Sequence, residues 1–166
     1  VRGGEFAILA VKARNQQLDR VSAMCGGYVR DWNGTAWADW SVTSNPAPHL
    51  RDIYVGRLNM DPVPEAVIDD AALVEWRARC TAKGYAVNAV VEGASVMEAA
   101  QIVCGNGYAR PYMSEVWGVV QDYDRSAEAP VQVFTPRNSS GFQWTKSFSR
   151  TADGLRVNFA DEDRNF

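Results

Sequence analysis

The sequence is poor in the residue types on which most catalytic and metal sites depend. Its 166 residues include a single histidine, His49, which follows Pro48 at the expected start of a helix. A Ser-His-Asp or Cys-His site would have to use that one residue, and a metal site with two histidine ligands is impossible within the chain. His49 is therefore predicted to be a partly exposed helix residue.

Cysteine is also scarce. The chain contains only Cys25, Cys80 and Cys104. Their odd number and wide spacing argue against a closed set of disulfides and against the Cys-x-x-Cys pairs of a structural zinc site. We expect three reduced, mostly buried small apolar side chains, which fits synthesis in the cytoplasm.

Long apolar runs and blocks of like charge are both missing. No apolar stretch approaches the roughly 20 residues that a membrane-spanning helix needs. The 17 basic residues are scattered among 20 acidic ones, and the net charge is -3. Because nucleic-acid-binding domains usually cluster Lys and Arg, the sequence predicts no nucleic-acid partner and no membrane insertion by this segment.

The composition that remains is that of an ordinary folded domain. Hydrophobic residues make up 46% of the chain and charged residues 22%. The predicted order of elements is one strand, a hairpin, two helices, a strand, a helix and then several strands. We therefore predict a single α+β domain over residues 1–166, with a mixed or antiparallel sheet, about three helices and a β-rich C-terminal part.

Three helices are predicted from capping residues and from apolar spacing. The second is the most clearly marked, because Leu73, Trp76 and Cys80 fall on one helical face and Gly84 ends the pattern. The first helix is predicted to begin at Ser44 or Asn45, followed by Pro46, and to end at Gly56. The second is predicted to run from Asp69 or Asp70 to Gly84. The third is predicted to begin at Ser95, where Glu98 completes a capping box, and to end at Gly105-Asn106-Gly107.

The strands are predicted from apolar runs and period-2 alternation. Asn33-Gly34 is the preferred pair for a two-residue type I′ turn, so residues 28–32 and 35–40 are predicted to form a hairpin. The other predicted strands are residues 6–13, 85–91, 108–113, 115–120, 131–134, 142–148 and 155–159.

Three tryptophans cluster on this hairpin and are the only candidate site residues. Trp32 precedes the turn, and Trp37 and Trp40 follow it. One interpretation is that they pack the hairpin against the first helix. A tryptophan side chain that stays exposed would contact another protein, since tryptophan is enriched at interfaces, or a sugar, since aromatic faces stack on sugars. The alternative function is therefore a carbohydrate-binding module.

Paired carboxylates raise a further alternative, a cell-wall hydrolase, since glycosidases use two such groups. Of the three candidate pairs, Asp69 with Asp70 is explained by helix capping. The other two lie in polar segments that would not raise the pKa of a carboxyl group. Residues 122–128 resemble a calcium-binding loop, but they lack the glycine and the third ligand of an EF-hand. We predict no catalytic, cofactor or metal residues. The pairs are Asp69 with Asp70, Asp122 with Asp124, and Asp161 with Asp163.

Three stretches, in order, resemble the phage host-specificity family, the tail-tip attachment protein J family. In the first, residues 28–50 (YVRDWNGTAWADWSVTSNPAPHL), a Trp-rich strand pair leads into Asn45-Pro46-Ala47 at a helix start. In the second, residues 68–91, a helix with Trp76 and Cys80 leads through Gly84 to a strand. The third is residues 129–150 (APVQVFTPRNSSGFQWTKSFSR), before LRVNFADED.

The resemblance implies a structural part of a tail tip. Such proteins resemble trimeric baseplate hubs that close the tail tube and carry receptor-binding parts. The expected partners are other tail-tip domains and protomers, in a homotrimer located at the virion tail tip and made in the cytoplasm of the bacterial host. The resemblance implies no enzymatic residues at these motifs in this chain. We expect a fragment of a larger protein, in which residues 150–166 begin the connection to a following domain.

Overall fold

The computed structural model of the chain describes residues 2, 3, 6, 7, 12, 14, 25–57, 59–147 and 153–157. The chain divides into two compact units, Val1–Asp124 and Arg125–Phe166. The helices and strands are β1 (Arg2–Gly3), β2 (Phe6–Ala7), β3 (Tyr28–Trp32), β4 (Trp37–Val42), α1 (Pro46–Val55), a 3₁₀ turn (Glu65–Val67), α2 (Asp70–Lys83), α3 (Val96–Asn106), β5 (Ala109–Met113) and β6 (Trp117–Gln121).

This arrangement confirms the α+β class and the expectation of about three helices. The described strands form antiparallel pairs, β1 with β2, β3 with β4 and β5 with β6. None of the helices in the described ranges is long and apolar enough to cross a lipid bilayer.

All three helices begin at the predicted caps. The side chain of Asn45 accepts a hydrogen bond from the backbone of Ala47 at 3.1 Å. Asp69 does the same for α2, and Ser95 with Glu98 forms the predicted capping box of α3. Gly84 ends α2 with a φ of 69°, a left-handed conformation that favours glycine. Local side-chain chemistry therefore sets the helix limits.

The core of the first unit lies where the three helices meet. Trp76 is fully buried, and its indole N–H donates to the carbonyl of Gly107 at 2.8 Å. A Cβ at position 107 would lie 2.5 Å from that indole ring, so only glycine fits there. The hydroxyl of Tyr54 is buried without a hydrogen-bond partner. The buried cluster comprises Trp37, Ala47, Leu50, Tyr54, Ile68, Leu73, Trp76, Cys80, Ala100, Val103, Cys104, Ala109 and Val119.

The first hairpin forms as predicted, but its turn is not the expected type. Trp32 pairs with Trp37, so residues 33–36 form a longer loop, and a bulge lies at Asp31/Trp32. A type I′ turn needs positive φ at two residues, whereas only Gly34 has one here. The Asn33 side chain instead accepts backbone hydrogen bonds from residues 35 and 36, at 3.0 and 2.9 Å. This Asx-type arrangement replaces the two-residue turn.

A second hairpin, β5 with β6, follows α3 close to the predicted positions. Met113 pairs with Trp117 around a turn at residues 114–116. The carbonyl of Trp117 accepts from the backbone N–H of Asp69 at 2.8 Å. This contact fixes the hairpin beside the start of α2.

Other predicted strands are corrected by the structure. Residues 85–91 contain no strand, although the backbone N–H of Val87 donates to the carbonyl of Ser44 at 2.8 Å. Residues 131–134 contain none either, and neither do the described parts of 142–148 and 155–159. An apolar run becomes a strand only beside a neighbouring strand, and none of the described strands lies beside these runs. The predicted strand at 6–13 is seen at Phe6–Ala7, and residues 8–11 and 13 lie outside the described ranges.

Candidate functional site

The hairpin β3–β4 places two of its three tryptophans on the face toward the helices. Trp37 is buried, with 6% of its surface exposed, and Trp32 is partly buried. Their rings lie 5.5 Å apart at an angle of 59°. The guanidinium of Arg51 lies 5.5 Å from the centre of the Trp37 ring. Trp37 therefore contacts α1 through Arg51, and Trp32 packs against the buried core.

Trp40 lies outside the core, beside Tyr28 and Arg30 and near the C-terminal half of α1. It is 43% exposed and stacks on Tyr28 at a centroid distance of 5.6 Å and an angle of 24°. Arg30, its direct partner on β3, lies 5.5 Å from the ring centre, and Val42 is 66% exposed. The surface around Trp40 is thus exposed and aromatic, with one basic side chain from the hairpin.

A buried ion pair holds this hairpin to α2. Asp31 accepts from Nε and Nη2 of Arg77 at 2.6 and 2.9 Å, and from the backbone N–H of Trp32 at 2.7 Å. Burial by itself would raise the pKa of Asp31, but these hydrogen bonds hold the pKa below its ordinary value. The carboxylate is therefore ionised and structural.

A second buried cation organises α1. The Arg51 side chain is only 5% exposed. Its Nε donates to Asp70 at 3.0 Å and its Nη2 donates to Glu65 at 3.1 Å. Two carboxylates thus balance the buried guanidinium, as burial of a charge requires.

The sequence-level catalytic candidates have structural partners instead. His49 lies half-buried in the first turn of α1, and its Nε2 is 2.7 Å from the carbonyl oxygen of Thr43. Asp69 accepts from the backbone of Ala72 at 3.0 Å and from the hydroxyl of Tyr112 at 2.7 Å, which lowers the pKa of the carboxyl. Asp70 pairs with Arg51.

The remaining acidic candidates are exposed or lie outside the described residues. Asp122 and Asp124 are exposed, and Glu128 lies 3.4 Å from Arg125. Asp161 and Asp163 lie outside the described residues. Across the parts of the chain that the structure describes, no group of three His, Cys, Asp or Glu side chains could hold a metal ion.

The cysteines differ in exposure. Cys80 and Cys104 are buried in the helical core, where burial raises the pKa of the thiols to about 11 and about 12. Cys25 is exposed, so the expectation that all three are mostly buried is wrong for this residue. It precedes Gly26-Gly27 at the entrance to β3, outside the packed helices.

The second unit presents a different kind of surface. Each of its described residues, 125–147 and 153–157, is exposed. Large apolar side chains occur there in pairs two residues apart, the spacing that places side chains on one face of a strand. They are Val131 (103% exposed), Val133 (64%), Phe142 (82%), Trp144 (73%), Leu155 (91%) and Val157 (69%), with Phe134 (73%) beside them.

No protein-family model, curated protein or solved structure matches the chain.

Sequence reasoning missed several residues that shape these surfaces. Asp31 and Arg77 are 46 positions apart, and nothing in the local pattern indicates that they meet. The position of Tyr28 and Arg30 on the face of Trp40 could have been found, because alternate residues of a strand share a face. The exposure of the apolar pairs in the second unit carries no sequence signal, since the same alternation marks a half-buried strand.

Proposed function

We propose that this chain is a structural domain of a bacteriophage or prophage tail-tip or hub protein. It takes part in tail assembly and host attachment by binding neighbouring tail-tip domains and protomers, in a homotrimer. In this proposal the protein is made in the host cytoplasm, acts at the virion tail tip, and has no catalytic role.

The observation that carries the assembly role is the exposure of the second unit. Scattered single apolar residues are normal on a protein surface, but seven large ones within residues 131–157 are far from ordinary. Their paired spacing is that of strands with one apolar face. Extended segments with exposed apolar side chains are stabilised when strands of another domain or protomer pair with them and cover those side chains.

The order of the motifs supports the tail-tip assignment. The tryptophan hairpin, the Asn-Pro-Ala helix start and the Trp76 helix occur in the first unit, in the order that the resemblance implies. The third resembling stretch, residues 129–150, includes five of the seven exposed apolar residues. The resembling stretch of the second unit thus also carries most of its exposed apolar side chains.

The polar groups support a role without chemistry. Glycosidases need two carboxyls facing one substrate, with the pKa of one raised. Of the acidic candidates, Asp69 caps α2 with a lowered pKa and Asp70 is paired with Arg51. Their interactions are those of a scaffold.

Immunogold electron microscopy tests the location. Tailed particles would be induced from the source bacterium and labelled with antibodies against the purified chain. We expect gold at the end of the tail farthest from the capsid. Labelling confined to the capsid, or particles that carry no label while the chain is detected in the cells, would contradict the proposal.

A matched pair of variants tests the surface that carries it. Phe142→Ser combined with Trp144→Ser removes two exposed rings of the second unit. Val90→Ser removes an apolar side chain of the first unit that is 87% exposed. We expect the double variant to fold, because it removes no core contact, yet to be lost from purified particles, whereas the Val90 variant is incorporated normally. Normal incorporation of both would refute the assembly surface.

A further inference from the structure

A small cavity lies where Arg30 and Trp40 of the tryptophan hairpin meet the C-terminal half of α1. Its volume is about 40 Å³. It is lined by Arg30 and Trp40 from the hairpin and by Arg51, Asp52, Val55, Gly56 and Arg57 from the helix and the residues that follow it. Since a water molecule needs roughly 10–15 Å³ of such space, the cavity has room for two or three hydroxyl-sized groups.

The cavity contains an acceptor that the chain itself does not use. The carboxylate of Asp52 accepts no hydrogen bond from any described residue. Burial raises the pKa of Asp52, and the nearby charges of His49, Arg30 and Arg51 act in the opposite direction. Gly56 keeps the carboxylate accessible, because a Cβ at that position would lie 2.5 Å from Oδ1 of Asp52.

Donors face the same space. Arg51 is held rigidly by Asp70 and Glu65 through Nε and Nη2, and its Nη1 donates to no described residue. Arg30 has a side chain that is 45% exposed and lies 3.8 Å from Glu65, a distance too long for a direct hydrogen bond. Both guanidinium groups therefore have N–H donors left for a ligand.

Trp40 supplies the apolar wall. Its ring is 43% exposed and is fixed by stacking on Tyr28. A fixed aromatic ring beside a few converging polar groups is the usual composition of a small-molecule site. We propose that this cavity is a saccharide subsite, in which ligand hydroxyls donate to Asp52 and accept from Arg30 and Arg51 while Trp40 contacts the sugar ring.

The cavity presents the Asp52 carboxylate as an acceptor beside cationic donors, a combination that suits a hydroxyl-bearing ligand. Two carboxylates already balance Arg51, and an anionic ligand would meet the Asp52 carboxylate inside the cavity. A hydroxyl group can both donate and accept, so it suits a site that presents both kinds of partner. This inference is independent of the assembly role, because none of its residues belongs to the second unit.

Titration of the ¹⁵N-labelled full chain, followed by NMR, tests the subsite. The probes are D-glucose, D-galactose and N-acetyl-D-glucosamine, with acetate and D-glucuronate as anionic probes. We expect at least one neutral sugar to shift the amide of Gly56 and the indole N–H of Trp40, with a Kd of about 1–10 mM for so small a site. The indole N–H of Trp144 should not move.

Three variants separate ligand binding from folding. Trp40→Ala and Asp52→Asn should each weaken the response at Gly56 by about tenfold or more, which corresponds to about 1.4 kcal/mol. Val90→Ser, which changes an 87% exposed side chain of the first unit that does not line the cavity, should leave the response unchanged. Asp52→Asn preserves the side-chain volume, so its spectrum reports whether the fold is intact.

Two results would overturn the subsite. In the first, no neutral sugar shifts Gly56 or Trp40 in the wild-type chain. In the second, acetate and D-glucuronate shift them while the neutral sugars do not, which would identify an anion site instead.

Discussion

Removing the carboxylate of Asp31 should destabilise the first unit, because this group fixes the hairpin to α2. In the Asp31→Asn variant, the Arg77 guanidinium loses an ionised acceptor that it contacts at 2.6 and 2.9 Å. Breaking a fully buried ion pair costs roughly 3–5 kcal/mol. The Arg77 side chain is 28% exposed and regains water in the variant, so we expect a loss of about 2–3 kcal/mol.

Urea unfolding followed by tryptophan fluorescence measures this loss. A double-mutant cycle with Arg77→Met isolates the coupling between the two side chains. The matched control is the exposed i,i+4 pair Glu75–Arg79 at 3.4 Å, for which we expect a coupling of about 0.3–0.5 kcal/mol. A coupling between Asp31 and Arg77 no larger than that of the control would refute the reasoning.

The stability difference between wild type and Asp31→Asn should depend on pH, and it should decrease as the pH falls. The pKa of Asp31 is lowered in the folded chain, so its contribution is complete above the unfolded pKa of about 3.9 and is lost as the pH falls through the folded pKa. The stability difference between wild type and Asp31→Asn should therefore shrink between about pH 5 and pH 2. A difference that stays constant over this range would show that the ionised carboxylate is not the source.

Three further predictions follow from the helical core. Gly107→Ala should destabilise the chain by about 2 kcal/mol in the same urea assay, because the added Cβ would meet the Trp76 ring. The control is Gly105→Ala inside α3, where open space surrounds the glycine, and this change should be neutral or stabilising by about 0.5–1 kcal/mol. Tyr54→Phe should raise the free energy of unfolding by about 1 kcal/mol, since it removes a buried hydroxyl that has no hydrogen-bond partner among the described residues, and any loss of stability would contradict this. At neutral pH a thiol reagent should modify Cys25 in the folded chain and the two buried thiols only in urea, and equal rates for all three would refute their assigned burial.

The helices could be predicted from sequence because their limits depend on neighbouring residues. Asn45, Asp69 and Ser95 satisfy backbone N–H groups only two or three residues away, so the chemistry is visible in a short window. The face of α2 that carries Trp76 could be identified for the same reason, because helical spacing is a local property. Gly84, with its positive φ, is likewise a local signal.

The strands were predicted less well, because a strand exists only with a partner. The apolar residues of 85–91 and 131–134 have strand-like patterns, yet none of the described strands pairs with them. The hairpin turn also escaped prediction: Asn33 used its side chain to accept backbone hydrogen bonds instead of adopting a positive φ. Competing local hydrogen bonds of this kind cannot be ranked from the Asn-Gly pair alone.

The sequence by itself determined where the helices begin and end, which face of α2 is buried, and that three tryptophans gather at one hairpin. Only the tertiary structure decided that Trp37 faces the core while Trp40 faces outward, that Asp31 meets Arg77, and that the apolar pairs of the second unit are uncovered. The physical reason is range: capping and helical periodicity act over a few residues, whereas burial and ion pairing depend on which distant segments the folded chain brings together.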